Sequence, residues 1–313
     1  MDYSEVKVLV IHPYYPAHNE GWGIANAFKN IGCNTFTADS NTWDMPQDKY
    51  DLIFEVDSPT HIFNRYYPKG FNINYVMDGF LPISDFYYYI PRSNRADVTF
   101  CLNRETIYNL KFHKCTTLSY YLPLASRFSY IAHLIEEFRN VGKIYDFASV
   151  GNFKHSCPNN FPNTKTLVCN ALRESWLNGW YRRSEMEYWQ DSLIPLIYSQ
   201  AKVAVTNSVN DADLITHRTF EAMTVGIPVL HNNILSLKEF FVEGEDYIGF
   251  PNGDYAGMVL KVKEYLLDLK ELERIGRNGQ IKTWKYHMWE HRVKFILDCF
   301  IDNNFRDFSI KNG

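Results

Sequence analysis

The amino-acid sequence predicts an α/β protein with two domains, each built around a parallel sheet. Its 313 residues exceed what one average hydrophobic core organises and are comfortable for two. Short apolar runs alternate with amphipathic stretches, which is typical of strands and helices that alternate around a parallel sheet. The segment from Gly142 to Tyr145 has the character of a linker, so the predicted domains are residues 1–141 and 142–313.

The predicted N-terminal domain starts with a strand from Val6 to Ile11, followed by an amphipathic helix that Gly21-Trp22-Gly23 opens and that runs to about Ile31. The connections between the following apolar runs suit right-handed crossovers between parallel strands. Functional loops are then expected at the carboxyl ends of the strands. The further strands predicted in this half are residues 35–38, 51–56, 73–77 and 98–102.

Polar side chains near two of these strand ends are candidate catalytic bases. His18 and Glu20 lie in the connection after the first strand, and Asp78 follows the strand 73–77. Each would take a proton from an acceptor hydroxyl if it faces the substrate, and is otherwise a solvated loop residue or a local cap. Gly21 and Gly23 permit close approach of the backbone to a ligand, although Gly-Trp-Gly lacks the full dinucleotide fingerprint.

The predicted C-terminal domain opens with the strand 147–150, which Gly151 follows. A glycine at this place allows the backbone to pass close to a phosphate or a sugar. Gly151, Asn152 and Lys154 are therefore candidates for binding the ligand, with a solvated loop as an equal alternative for Lys154. The other elements predicted in this half are strands at 202–206, 227–230 and 247–250 and helices at 164–178, 218–225, 236–242, 255–269, 272–275 and 281–300.

The helix predicted from residue 218 carries the most informative pattern. Gly226 falls where a helix needs a left-handed C-terminal residue, and Pro228 cannot continue that helix. The helix therefore begins near Arg218, where unpaired first-turn N–H groups and the helix dipole suit an anion such as a diphosphate. Arg218 adds a forked cation at that end, and the flanking His217 and Thr219 are further candidates for nucleotide binding.

Glu221 lies in the first turn of the same helix. Its charge would repel a phosphate directly in front of it, so we expect it slightly off the phosphate axis. A carboxylate there accepts two hydrogen bonds from a ribose diol. The alternative is that Glu221 only complements the helix dipole.

The segment from Tyr198 to Leu230, with the helices after it to about Leu297, resembles the C-terminal half of the CgeB-like glycosyltransferases. These are a branch of the GT-B nucleotide-sugar transferases and are related to the group 1 glycosyltransferases. The resemblance implies two Rossmann-like domains whose parallel sheets face a cleft, with a last helix that crosses back to the N-terminal domain. It also implies that Glu221, in its Glu-Ala-hydrophobic-x-x-Gly-x-Pro-Val context, binds the nucleotide ribose.

Retaining members of that superfamily often carry a second acidic residue eight positions before the ribose-binding carboxylate, near the donor sugar. Asp213 has that spacing here, one methylene shorter than the usual Glu. The resemblance therefore favours retaining chemistry, with a UDP-sugar such as UDP-glucose as the guessed donor. We expect no metal, because in this fold helix N-termini and basic side chains replace the metal that a D-x-D motif holds elsewhere. Asp211-Ala212-Asp213 matches that motif easily by chance.

Composition describes a globular protein and excludes a few function classes. A net charge of −4 gives no general attraction to nucleic acid or anionic lipid. The six cysteines have no C-x-x-C spacing, and the N-terminus has no secretory pattern, so we expect free thiols and a cytoplasmic protein. The apolar runs are too short to cross a bilayer, which leaves only peripheral membrane contact open.

Two alternatives remain open from the sequence. In one, the acceptor is a modified DNA base, as in phage glucosyltransferases, and the aromatic and arginine-rich stretch 176–189 helps to bind DNA. Basic residues that would add to such a surface are Arg92, Arg95, Arg104, Lys111 and Lys114. In the other, the protein binds a nucleotide or a partner without turnover. The acceptor itself, whether a glycan, a protein or a DNA base, is not specified by any motif.

Overall fold

The computed structural model describes residues 2–12, 20–40, 48–56, 69–77, 90–138, 140–151, 164–182, 193–208 and 213–310. The chain divides into two compact units, one of Met1–Pro123 with Trp289–Gly313 and the other of Leu124–Met288. The first stretch of the first unit thus ends before the predicted boundary at residue 141. The segment after Pro123 belongs to the second unit, where the backbone N–H of Ser126 donates to the carbonyl of His287 at 2.8 Å.

The nine predicted strands are present with shifted bounds, and strands at Ser119–Tyr121 and Gly179–Arg182 occur where none was predicted. The described residues therefore contain eleven strands. They are β1 (Lys7–His12), β2 (Asn34–Asp39), β3 (Lys49–Val56), β4 (Lys69–Val76), β5 (Val98–Cys101), β6 (Ser119–Tyr121), β7 (Tyr145–Val150), β8 (Gly179–Arg182), β9 (Ala201–Val205), β10 (Val229–Asn232) and β11 (Ile248–Phe250).

The helices of the described residues include a short 3₁₀ helix at Phe128–Ile131. The α-helices are α1 (Glu20–Asn30), α2 (Arg104–Phe112), α3 (Ala132–Phe138), α4 (Thr164–Glu174), α5 (Leu193–Ser199), α6 (His217–Val225), α7 (Leu235–Phe240), α8 (Tyr255–Leu267), α9 (Leu269–Tyr286) and α10 (Trp289–Ile301).

The first unit contains a six-stranded sheet in the order β2-β1-β3-β4-β5-β6. Every pairing is parallel. The strand interiors are buried, as expected for a sheet with both faces covered. Within this unit α1 packs against α10, where the indole Nε1 of Trp289 donates to Glu20 Oε2 at 2.9 Å.

The second unit contains a five-stranded parallel sheet in the order β11-β10-β9-β7-β8. Apolar side chains of the strands, such as Phe147, Val203 and Leu230, pack with Leu172 of α4 and Met258 of α8. The prediction of an α/β fold with parallel sheets is therefore confirmed.

Two local predictions differ from the structure. The aromatic stretch that begins at Trp176 contains an edge strand, β8, which pairs with β7. The helix predicted at 281–300 is two helices, since α9 starts earlier and ends at Tyr286, and α10 begins at Trp289. At the break, His287 has a non-helical φ of −128°, and its carbonyl accepts from the backbone N–H of Ser126 at 2.8 Å.

The five cysteines of the described residues are free, in agreement with the expectation of free thiols. In the described part of the chain, no helix is both long enough and apolar enough to cross a membrane.

Candidate functional site

The sheet of the second unit has a topological switch point between β7 and β9. The chain leaves β7 towards β8 on one side and continues through β9, β10 and β11 on the other. Ligands of open α/β sheets bind beyond the carboxyl ends of the strands at such a point. The residues that follow β7 and β9 are Gly151 and Thr206 to Ser208. This edge of the sheet is therefore the candidate ligand-binding edge.

Gly151 directly follows β7 and has a φ of 141°. A residue with a side chain would be strained in that conformation, so the position requires glycine. The predicted strand-to-glycine turn is thus present, while its contact with a phosphate or sugar stays a prediction. Asn152 and Lys154, which were predicted beside it, lie outside the described residues.

Helix α6 begins at His217, one residue before the predicted start, and is capped by Gly226 in the left-handed conformation with φ 87°. The N-cap residue is Thr216, whose side chain makes no capping hydrogen bond within the described residues. The backbone N–H of Thr219 donates to the Thr216 carbonyl at 3.0 Å. Because the side chain of Thr216 does not cap the helix, N–H groups of the first turn are left for an anion.

Glu221 is completely buried and lies between two arginines. Its Oε2 accepts from Nη1 of Arg218 at 2.5 Å, and its Oε1 accepts from Nε of Arg127 at 2.9 Å. Both arginines are themselves buried. The carboxylate therefore fixes two guanidinium groups side by side, and the group of three carries one net positive charge.

The cluster has donors beyond those that Glu221 uses. Arg218 makes no other hydrogen bond within the described residues, and a guanidinium has five N–H donors. Each Glu221 oxygen has more than one acceptor direction, so a ribose hydroxyl would share the carboxylate with the arginines. Chemically, the arrangement is suited to a ligand that brings both an anion and hydroxyl groups.

Tyr198 of α5 is fully buried beside this cluster. Burial raises the pKa of its phenol and the charge of Glu221 acts in the same direction, while Arg218 and a backbone group of Val150 oppose them. Tyr198 is therefore a neutral hydroxyl between the end of β7 and the start of α6.

Further polar groups follow the ends of β9 and β10. The Asn232 side chain accepts from the backbone N–H of Ser208 at 2.9 Å and donates to Ser208 Oγ at 2.8 Å. Thr206 Oγ1 and Asn207 Oδ1 are buried at the same edge without a partner in the described part of the chain. Buried polar groups are normally satisfied, so these two oxygens are candidate ligand contacts.

Asp213 is exposed and one of its oxygens is already used. Its Oδ1 accepts from the backbone N–H of Ser236 at 2.8 Å, and its own carbonyl accepts from Ser236 Oγ at 3.2 Å. Ser236 is in the first turn of α7, so Asp213 caps that helix from a distant position in the chain. A contact of Asp213 with a donor sugar stays a prediction.

The candidates of the first unit are described only in part, since His18 and Asp78 lie outside the described residues. Glu20 is buried at the start of α1 and accepts from Trp289. Gly21 and Gly23 are buried within α1. A Cβ on Gly21 would lie 2.1 Å from Cγ of His12, so this glycine allows α1 to approach β1 closely.

Arg127, Tyr198 and Asn207 are parts of the candidate site that the sequence reasoning missed. Arg127 contacts Glu221 although the two are 94 positions apart in the chain, and the sequence places Arg127 in the predicted N-terminal domain. No local pattern marks it, because a single arginine before an apolar residue is common. Asn207 directly follows the predicted strand 202–206, and this position at the carboxyl end of a strand was the available signal for it. Tyr198 precedes that strand and had no such signal.

A model of the glycosyl transferase-like family matches residues 133–298, just over half of the chain. The chain belongs to this family. The matched region contains the whole buried cluster except Arg127. A search of curated protein sequences finds no significant match to this glycosyl transferase-like chain.

Solved structures with similar folds include a sucrose-phosphate synthase and proteins described in complex with UDP or a UDP-sugar. Sucrose-phosphate synthase from Thermosynechococcus elongatus has a TM-score of 0.64 at 11% identity, over 95% of this chain and 99% of that one. The E. coli structure described as trehalose-6-phosphate bound with UDP-2-fluoro glucose has a TM-score of 0.61 at 10% identity, over 94% and 99%. Anabaena HepE in complex with UDP and glucose has a TM-score of 0.58 at 10% identity, over 93% and 99%. The fold of this glycosyl transferase-like chain is therefore GT-B.

Proposed function

We propose that the protein transfers a sugar from a nucleoside-diphosphate sugar to an acceptor. The observation that carries this proposal is the buried Arg127–Glu221–Arg218 cluster at the start of α6, beside the switch point of a parallel sheet. Family membership supplies the reaction class. The CgeB-like subtype and a UDP-sugar such as UDP-glucose as donor are part of the proposal, supported by the resemblance around Glu221 and by neighbours that bind UDP or UDP-glucose.

The main task in this reaction is to stabilise the leaving group. As the bond between sugar and diphosphate breaks, negative charge grows on the departing phosphate and positive charge on the ring carbon. Arg218 and the first-turn N–H groups near Thr219 are the donors for that phosphate. Glu221 holds Arg218 in place and accepts from the ribose. No proton need be transferred to the diphosphate when its charge is neutralised in this way.

The other predicted residues complete the proposal. Gly151, with Asn152 and Lys154 after it, approaches the diphosphate or sugar through its backbone, and His217 lies at the helix start. Asp213 orients the donor sugar through the carboxylate oxygen that does not cap α7. We favour retaining chemistry without a metal. If the reaction is inverting, His18, Glu20 or Asp78 would act as the base.

Calorimetric titration with UDP and UDP-glucose tests the proposal, together with luminescent detection of released UDP. We expect binding of UDP, slow hydrolysis of the sugar nucleotide without acceptor, and no loss of either on addition of EDTA. Arg218→Lys keeps the charge but loses the fork, so UDP binding should weaken by about tenfold. Arg95→Lys, an exposed change of the same kind, should leave it unaltered.

Several results would count against the proposal. Absence of UDP and UDP-glucose binding would contradict a UDP-sugar donor, and a screen of other nucleoside diphosphates would then decide whether any donor of this class binds. Binding without UDP release under any condition would favour a protein that binds nucleotide without turnover. Loss of activity with EDTA that added Mg²⁺ restores would refute the metal-free part.

A further inference from the structure

The second unit has a cavity at the edge of its sheet opposite the candidate ligand-binding edge. Its volume is 760 Å³, within the range of small-molecule sites. The lining residues include Lys202 and Pro228, which lie at the amino ends of β9 and β10. Gly226, at the end of α6, also lines the cavity. The nine residues of α6 span about 13 Å at 1.5 Å per residue. The cavity is therefore separate from the start of α6.

Basic side chains dominate the charge of this cavity. Five line it, against the single carboxylate of Glu273. Two of the five are neutralised locally, because Lys202 pairs with Asp146 at 2.8 Å and Arg274 pairs with Glu245 and Glu271. The three others, which have no carboxylate partner among the described residues, are Lys143, Lys270 and Arg277.

Lys143 has one hydrogen bond in the cavity and a lowered pKa. Its Nζ donates to the carbonyl of Ser199 at 2.8 Å, which uses one of three donors. Lys143 is exposed as a residue, while partial burial of its ammonium lowers the pKa to about 8 and the charge of Glu273 opposes this only in part. An anion in the cavity would supply the compensation that the ammonium lacks.

Ser199 gives an independent indication of a ligand. Its side chain is 3% exposed, and it lines the cavity. Its Oγ has no hydrogen-bond partner within the part of the chain that the structure describes. A buried hydroxyl normally finds a partner, so a polar group of a ligand is expected beside it.

The remaining wall is mainly apolar, apart from Gln280, whose side chain bonds Arg277 and the Thr224 carbonyl. Val225, Ile227, Leu269 and Leu272 line the cavity together with Pro228. A bare phosphate or sulfate ion would leave this surface and much of the volume unfilled. The wall therefore indicates a ligand with a carbon skeleton attached to its anionic group.

We propose that this cavity binds a small organic phosphate, with its phosphate held by Lys143, Lys270 and Arg277. A forked guanidinium and ammonium groups are the donors that bind phosphate oxygens in proteins. Ser199 contacts a polar group of the ligand, and the apolar wall covers the carbon skeleton. The site is additional to the donor site and does not depend on the proposed transferase activity.

Calorimetric titration of the full chain with glucose 6-phosphate, with inorganic phosphate and with glucose tests this site. Each titration is run with and without saturating UDP, which occupies the proposed donor site. We expect glucose 6-phosphate to bind in both conditions, more tightly than inorganic phosphate, and glucose not to bind. Lys270→Glu reverses an exposed charge in the first turn of α9, where an acid is compatible with folding, and should weaken binding by at least about tenfold.

Arg277→Gln should weaken binding of glucose 6-phosphate by a similar factor. Lys263→Gln on the exposed face of α8 removes the same charge elsewhere and should leave the affinity unchanged. Equal affinities for inorganic phosphate and glucose 6-phosphate would refute the organic ligand and reduce the cavity to an anion site. Lack of binding in the wild type, or equal loss in Lys263→Gln, would refute the phosphate site itself.

Discussion

Nε of Arg127 donates to Oε1 of Glu221 at 2.9 Å, although the two residues are 94 positions apart in the chain. The contact joins the segment before α3 to the start of α6. It leaves a fully buried carboxylate dependent on two arginines, one local and one distant. Removing one partner of a buried ion pair costs more than the pair itself contributes, because the other charge stays buried.

Arg127→Met should therefore lower the free energy of unfolding by about 3 kcal/mol. Urea unfolding followed by circular dichroism measures this change. Because Glu221 is the carboxylate partner of both arginines, the double variant Arg127→Met with Glu221→Gln should lose less stability than the sum of the two single variants. Additive losses in the double variant would mean that the two side chains are not coupled.

Gly226→Ala tests the turn that ends α6. Gly226 has φ 87°, and a Cβ there would lie 3.0 Å from the Gln280 side chain. We expect a loss of about 1–2 kcal/mol in the free energy of unfolding from the left-handed conformation alone. A thermal unfolding series measures it.

Two matched glycines separate the causes of that loss. Gly32 has φ 104° and nothing within 4 Å of an added Cβ, so Gly32→Ala reports the backbone strain without a contact. Gly142 has open space and no left-handed φ, so Gly142→Ala should have little effect. A loss in Gly142→Ala equal to that in Gly226→Ala would contradict the conformational argument.

The sequence predicted the elements whose signal is local. The apolar run of β1 is continuous from Val8 to Ile11, β7 and β9 are mostly apolar, and Gly226 with Pro228 marks the end of α6 in a few residues. These patterns follow from steric rules and from burial on both faces of a parallel sheet, so they require no knowledge of distant residues.

The features that it missed depend on tertiary contacts. At the break between α9 and α10, the carbonyl of His287 accepts from the N–H of Ser126, which is far away in the chain. The apolar periodicity continues across that break, so a single helix was the natural prediction. The partner of Glu221 was missed for the same reason, because nothing within the local sequence of Arg127 specifies where its guanidinium lies.

Asp213→Asn and Asp213→Ala separate the cap of α7 from a role of the charge. Asparagine still accepts from the Ser236 N–H, so its stability should stay close to that of the wild type. Alanine loses the acceptor and should cost about 1 kcal/mol in urea unfolding. If Asp213 also orients the donor sugar, Asp213→Asn should lower turnover without lowering stability. Wild-type turnover in Asp213→Asn would leave Asp213 only its capping role.

The pKa of Lys143 predicts how its effect on stability varies with pH. The folded value of about 8 lies below the ordinary 10.5, so the folded state releases its proton first as the pH rises. Below pH 8 both states hold the proton, and the folded state bears the full cost of the desolvated ammonium. Between pH 8 and 10.5 the unfolded state binds more protons, and the stability of the folded protein rises relative to a variant without the group.

The difference in unfolding free energy between Lys143→Met and the wild type should therefore change across this window. The free energy of unfolding of Lys143→Met should exceed that of the wild type by the largest amount below pH 8. This excess should shrink as the pH approaches 10.5. Urea unfolding of both proteins at several pH values measures this difference. Other titrating groups, such as Cys33 with its pKa raised from 9.0 to about 11, contribute equally to both proteins and cancel in the difference. Lys263→Met, at an exposed position of α8, is the matched control variant. A constant difference for Lys143→Met would show that the ammonium is hydrated as an ordinary surface lysine.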